Sequence, residues 1–251
     1  NSKMLSIAPD KCTITLFTPD KARQSRVHPQ VLIGGISIPL DKNPRILGVH
    51  MDTHFNFGSY ATKVAKSCRE KLRTLRALSG TGWGSQKEVM LSAFKTYVEP
   101  VINYAAAVWV PNASDSSINQ LQRIQNSALR IATGCHTAST VSNLHQESKY
   151  ALVGDHLDML STQHLASCLR PSHPSNAVVR EPPGPRSMKQ TLQSKYKSSL
   201  TPHLDADGNI DPAHYNDIRK AIHTESVAKT IAKLEPNRLL GAAPPPISPS
   251  A

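Results

Sequence analysis

The sequence predicts an α+β fold: a small β-hairpin region at the N-terminal end, a mostly α-helical bundle after it, and a proline-rich, partly disordered tail. Three observations lead there. Short apolar alternations fill the chain up to about residue 51, and the period changes to that of an amphipathic helix from about Gly58. After Arg170 the composition shifts to proline, serine and arginine. The 251 residues divide accordingly into segments 1–56, 57–170 and 171–251.

Residues 11–18, KCTITLFT, alternate Cys12, Ile14 and Leu16 with threonines, the pattern of a half-buried strand, which Pro19-Asp20 ends. A second strand at residues 31–33 meets Gly34-Gly35, a two-residue turn signal, and resumes as Ile36 and Ile38 until Pro39. Residues 45–51, RILGVHM, make a further short strand, in which Gly48 suggests the close approach of another backbone. The β content is expected to end there.

Over residues 58–79, Ala61, Val64, Ala65, Cys68, Leu72 and Leu75 share one helix face. Beside it stand Lys66, Arg69, Arg73 and Arg76, spaced three, four and three apart, so that their side chains form one stripe. Glu70 is the acid next to them, which leaves most of the charge uncompensated. A solvated helix face and a surface for phosphates both fit this pattern.

Gly80 and Gly82 end that helix, and Ser85 with Glu88 has capping-box spacing for the next, which carries Val89, Met90, Phe94, Tyr97 and Val98 and is expected to be interrupted at Pro100. The run VINYAAAVWV is apolar almost all round and predicts a short helix buried in the bundle, stopped by Pro111. Ser114 or Asp115 can cap a helix in which Ile118, Leu121, Ile124, Ala128 and Ile131 recur up to Gly134, with Arg123 and Arg130 on its exposed face. Residues 140–148 and 153–169 give two more helical patterns. RPSHPSN and REPPGPRS then read as a linker without a packed core, followed by one helix over about residues 212–234 and the extended or disordered tail GAAPPPISPSA.

Lysine and arginine outnumber the acids by 29 to 18, a formal charge of +11, and a polyanion is the first partner to consider. The four cysteines, Cys12, Cys68, Cys135 and Cys168, form no Cys-x-x-Cys pair and read as reduced core thiols. No apolar run reaches the ~20 residues of a membrane helix, and no signal pattern opens the chain, so a soluble intracellular protein is expected, without membrane or small-molecule partners. His164 and Cys168 lie four apart on one helix near His156, but zinc needs three or four donors and no second pair has finger spacing. DADGNID, from Asp205 to Asp211, lacks the glycine position and terminal Glu of a calcium loop and reads as an acidic turn. There is no Gly-x-Ser-x-Gly elbow and no Walker loop; GTGWGS follows a helix and reads as a turn. Two-metal nucleotidyl transfer needs clustered carboxylates, and no Asp-Asp pair stands on a hairpin. No metal, cofactor or catalytic residue is therefore expected in the chain itself.

The order of motifs resembles a known family. PDKCTITLFT, a hairpin, ILGVHMD, FNFGSYATKVAKSCREKLRTLRALSG, GTGWGSQKEVMLSAFKTYVEPVINYAAAVW and LQRIQNSALRIATG are together similar to the C-terminal half of the reverse transcriptases of jockey-like and other LINE-type, non-LTR retrotransposons, over about residues 7–169. The resemblance implies that residues 1–56 are the end of the palm and residues 57–170 the thumb. The catalytic aspartates and the Mg2+ they hold would lie upstream, in a missing half of the polymerase, and the opening Asn1 fits a piece of a longer reading frame. By the same resemblance Lys11 is an auxiliary residue near the incoming nucleotide, with a solvated lysine as the plain alternative. Leu47, Gly48 and Val49 match the hairpin that grips the primer. Lys66, Arg69, Arg73 and Arg76 would hold an RNA or RNA/DNA template-primer through its phosphates. Trp83 and Trp109 are expected to pack in the core, and Ala105 stands where relatives often have glycine. The implied function is the template-primer-binding part of an RNA-directed DNA polymerase, nuclear rather than cytoplasmic. The alternative is a non-enzymatic helical nucleic-acid-binding protein, scaffold or relic derived from a retroelement. Apolar surface left uncovered would make the isolated chain poorly soluble or dependent on a partner.

Overall fold

The computed structural model describes residues 7–18, 27, 29–80, 85–181 and 190–234. Two antiparallel hairpins open it. β1 (Leu32–Ile33) and β2 (Ile36–Ser37) pair Leu32 with Ser37 and Ile33 with Ile36. Gly34 and Gly35 both have positive φ, +56° and +83°, as the tightest hairpin turn requires. Residues 45–51 form a second hairpin rather than one strand: β3 (Arg45–Ile46) pairs with β4 (Val49–His50) around Leu47 and Gly48, whose φ values are +46° and +86°. Leucine is not a turn residue, so the apolar pattern hides this turn. Gly48 does have a close neighbour, but it is a side chain: a Cβ there would lie 3.3 Å from Cε1 and the hydroxyl of Tyr104.

The strand expected over residues 11–18 does not form. Pro9–Lys11 is a single 3-10 turn, and beyond it the pairing reduces to one parallel bridge between Ile14 and Leu40. The Ile14 N–H donates to Pro39 (3.0 Å) and the Asp41 N–H to Ile14 (2.8 Å). Pro39 has no N–H with which to extend the ladder.

α1 (Gly58–Leu78) buries the six residues of its expected face, together with Tyr60. Its entry is held by Asp52, whose carboxylate accepts from the backbone N–H groups of His54, Asn56 and Phe57 at 3.0, 3.0 and 2.6 Å. α2 (Lys87–Ala93) starts without the expected capping box: Gln86 is its cap residue, and the Ser85 N–H is tied back to Leu78 instead. Pro100 does not break the helix. The chain passes through a π-helical turn, Phe94–Val98, directly into α3 (Glu99–Asn103), with Pro100, which has no N–H to donate to the preceding turn, in its first turn. The break falls later, at Ala105, whose φ is +52°, before α4 (Ala106–Trp109). The apolar run is thus two short helices with an outside as well as an inside, for Tyr104 is 51% and Val108 44% exposed.

Ser114 caps α5 (Asp115–Thr133), accepting from the Ser117 N–H, and Gly134 ends it with φ +70°. Thr140 caps α6 (Val141–Ser148), and α7 (Val153–Cys168) follows. These helices enclose the larger core, in which Trp109, Phe94, Leu121, Leu129, Leu144 and Leu157 are fully buried. Trp109 packs edge-on against Tyr60, ring centroids 5.9 Å apart.

Packing does not stop near Arg170 as the composition suggested. α8 (Asn176–Arg180), α9 (Leu192–Leu200) and α10 (Tyr215–Leu234) continue the fold, and a second core joins Leu165, Ala166 and Leu169 to Tyr196, Leu200, Ile210, Ile218 and Ile222. α10 is the helix expected over residues 212–234. Asp155 of α7 secures it: its buried carboxylate accepts from the Thr230 hydroxyl (2.8 Å) and from Lys233 Nζ, while its carbonyl accepts from Ser226 (3.0 Å). DADGNID is a tight turn in which Asp205 Oδ1 accepts from the N–H groups of Asp207 and Asn209. Trp83, residues 182–189 and the tail 235–251 lie outside the described residues.

Candidate nucleic-acid interface

Arg69, Arg73 and Arg76 lie on the exposed side of α1, with Leu72 and Leu75 buried beneath them. Arg69 and Arg76, seven positions apart, are separated by about 10 Å along the helix axis. α5 packs alongside, and between the two helices runs a groove of about 880 Å³. Its α1 wall carries the three arginines and Thr62; its α5 wall carries Ser116, Gln120, Arg123 and Ser127, and Leu72 and Ile124 meet at its floor.

Arg123 is the residue that sequence reasoning left out of the site. It stands in the sequence as one exposed cation of a separate helix, and only the packing of α5 against α1 turns it toward the other three. Nothing in the one-dimensional spacing specifies that juxtaposition. Arg130, its companion on α5, is half-buried and donates to the Ser139 carbonyl (3.2 Å) outside the groove.

Among the described residues no Asp or Glu lines the groove, and none forms an ion pair with any of its four arginines. Four guanidiniums with free donors repel one another and attract a multivalent anion. The hydroxyls add less. Thr62 and Ser127 donate to the carbonyls of Gly58 and Arg123 within their own helices, at 2.9 and 3.0 Å.

The remaining expected site residues are placed separately. Lys66 is exposed on α1, outside the groove lining. Lys11 is exposed at the end of its 3-10 turn. Leu47 is 87% exposed at the tip of the second hairpin, whereas the Val49 side chain belongs to the core. The flank of this hairpin is cationic as well: partial burial first, then the fields of Lys63 and Arg45, hold His50 below its ordinary pKa.

No protein-family model matches the chain. No solved structure matches it. Three curated proteins are similar in sequence. The probable RNA-directed DNA polymerase from transposon X-element of Drosophila melanogaster is 27% identical over 168 residues, 63% of this chain and 18% of its own length. The probable RNA-directed DNA polymerase from transposon BS of the same species is 23% identical over 71% of this chain and 20% of its length. The retrovirus-related Pol polyprotein from type-1 retrotransposable element R1 4 of Nasonia vitripennis is 26% identical over 44% of this chain and 28% of its length. The chain therefore spans between about a fifth and somewhat over a quarter of the length of the relatives it matches. Over the matched residues it is a relative of the RNA-directed DNA polymerases of non-LTR retrotransposons.

Proposed function

We propose that this chain supplies the template-primer-holding part of a retrotransposon RNA-directed DNA polymerase, gripping an RNA/DNA duplex by its phosphates in the groove between α1 and α5. The observation that carries this reading is the meeting of Arg69, Arg73, Arg76 and Arg123 in one groove with no acid among the described residues that line it. Arginine forks match phosphate oxygens bidentately, and such contacts hold a duplex without reading its sequence. The relatives' names agree with nucleic acid as the partner.

In this reading nucleotidyl transfer, with the Mg2+ it would need, belongs to the rest of a longer polymerase, and no step of it is placed on these residues. Leu32, Ile36, Ile46 and Leu47 are exposed on the hairpins, which supports a covering surface contributed by that remainder.

The test is binding of the purified chain to an RNA–DNA hybrid across a salt series. Steeply salt-dependent binding is expected, with a log–log slope that falls by about one for each groove arginine changed to Ala. A chain with all four arginines replaced that binds as the wild type does removes the proposal.

A further inference from the structure

We infer that Tyr104 is a positioning residue, the side chain that holds the turn at Leu47 and Gly48 at a fixed offset from the arginine groove, so that turn and groove engage one duplex together. The inference rests on the duplex-binding reading above.

The turn is unusual in what it displays. Leu47 keeps its backbone at φ +46° and gains no burial from doing so, since its side chain is 87% exposed. A large apolar side chain held in a strained conformation at a bare tip is arranged for contact with something outside the chain.

Tyr104 is what keeps it there. Its hydroxyl donates to the Leu47 carbonyl at 2.6 Å, and its ring lies so close to Gly48 that a Cβ there would be only 3.3 Å from it. Being 51% exposed, the ring adds little to either core. Its backbone is fixed from the other side: the Tyr104 carbonyl accepts from Trp109 Nε1 (3.1 Å) and from the Tyr60 hydroxyl (3.5 Å). Trp109 is fully buried, and Tyr60 lies on α1, nine residues before Arg69, or about 14 Å along the axis. Tyr104 thus links the exposed tip to the helix that carries the arginines, through one hydrogen bond at its hydroxyl and a longer one at its carbonyl.

The experiment measures binding of the full chain to an RNA–DNA hybrid across a salt series, for Tyr104→Phe, Leu47→Ala and both together, with Arg73→Ala as reference. Tyr104→Phe keeps the ring and removes the hydroxyl. It is expected to weaken binding about 3- to 10-fold at every salt concentration, with an unchanged salt slope. The double variant is expected to bind no more weakly than Leu47→Ala alone, because the two changes act on one contact. Gly48→Ala, which presses a Cβ onto the same ring, should reproduce Tyr104→Phe. Wild-type affinity in both Tyr104→Phe and Gly48→Ala, or losses that multiply in the double variant, overturns the inference. It does so without touching the groove, provided Arg73→Ala still lowers the slope. Absence of salt-sensitive binding by the wild type overturns both.

Discussion

The Tyr104 hydroxyl reaches the Leu47 carbonyl across 57 positions of sequence, and it can do so because Ala105 breaks the helix immediately after it. Without that break the Tyr104 carbonyl would be committed to a helical hydrogen bond instead of accepting from Trp109. The left-handed backbone at Ala105 is therefore the local origin of a long-range connection.

An alanine at φ +52° is strained by its Cβ, whereas glycine is not. Ala105→Gly is expected to stabilise the protein by about 1 kcal/mol, the low end of that left-handed penalty, part of which is returned as greater freedom of the unfolded chain. The melting midpoint should rise by about 2–4 °C, read by calorimetry. A lower midpoint would contradict the strain argument.

Asp155 is buried on α7 and satisfied by Thr230 and Lys233 of α10. Asp155→Ala leaves the Thr230 hydroxyl buried without its acceptor, at a cost of about 1–3 kcal/mol. Amide exchange should accelerate through α10 and remain slow in α1 and α5. If α10 exchanges as in the wild type, the carboxylate does not hold that helix.

Burial holds the His145 imidazole below its usual 6.5, with a partial offset from its Nδ1 hydrogen bond to the Tyr150 carbonyl (2.8 Å). Burial is also the leading cause of the lowered pKa values of His156 and His164. As pH falls, the unfolded chain takes up protons first. The stability carried by neutral imidazoles is thus complete above about 6.5 and declines below it, toward the lowered folded values. Burial of the Glu99 carboxyl raises its pKa above 4.5 and acts in the opposite sense, its stability being complete below 4.5 and lost as pH rises through the folded value. Melting midpoints should fall between pH 6.5 and 5.5, and less so in His145→Gln. A midpoint that stays level or rises over that interval would show that these imidazoles do not govern acid stability.

Arg123 and Arg130 stand seven residues apart on α5 but face different surroundings. Arg123→Ala should lower the salt slope of hybrid binding by about one, as Arg73→Ala does. Arg130→Ala should leave the slope unchanged, because its guanidinium is engaged by Ser139 away from the groove. Equal slopes for the two α5 variants would place the nucleic acid elsewhere.

Periodicity carried most of this architecture. The buried face of α1, the Ser114 cap and the Gly134 stop follow from local spacing alone, since each depends on residues within a turn or two. Three of the four groove arginines were legible for the same reason. Arg123 was not, because its role depends on how two helices separated by some forty residues pack. The hairpin turn at Leu47 and the break at Ala105 were hidden by residues that rarely adopt left-handed backbone. The packing beyond Arg170 was masked by intervening prolines, although Tyr196, Leu200, Ile218 and Ile222 supplied the apolar surface for it.

α7 serves both cores, the larger through Val153 and Leu157 and the smaller through Leu165 and Ala166. It is a party wall, and loss of either room exposes a face of the other. A fragment ending at residue 170 would keep the wall but bare one of its sides, so the arginine groove should survive excision best when the chain is cut beyond α10, and heat should melt both cores in a single transition.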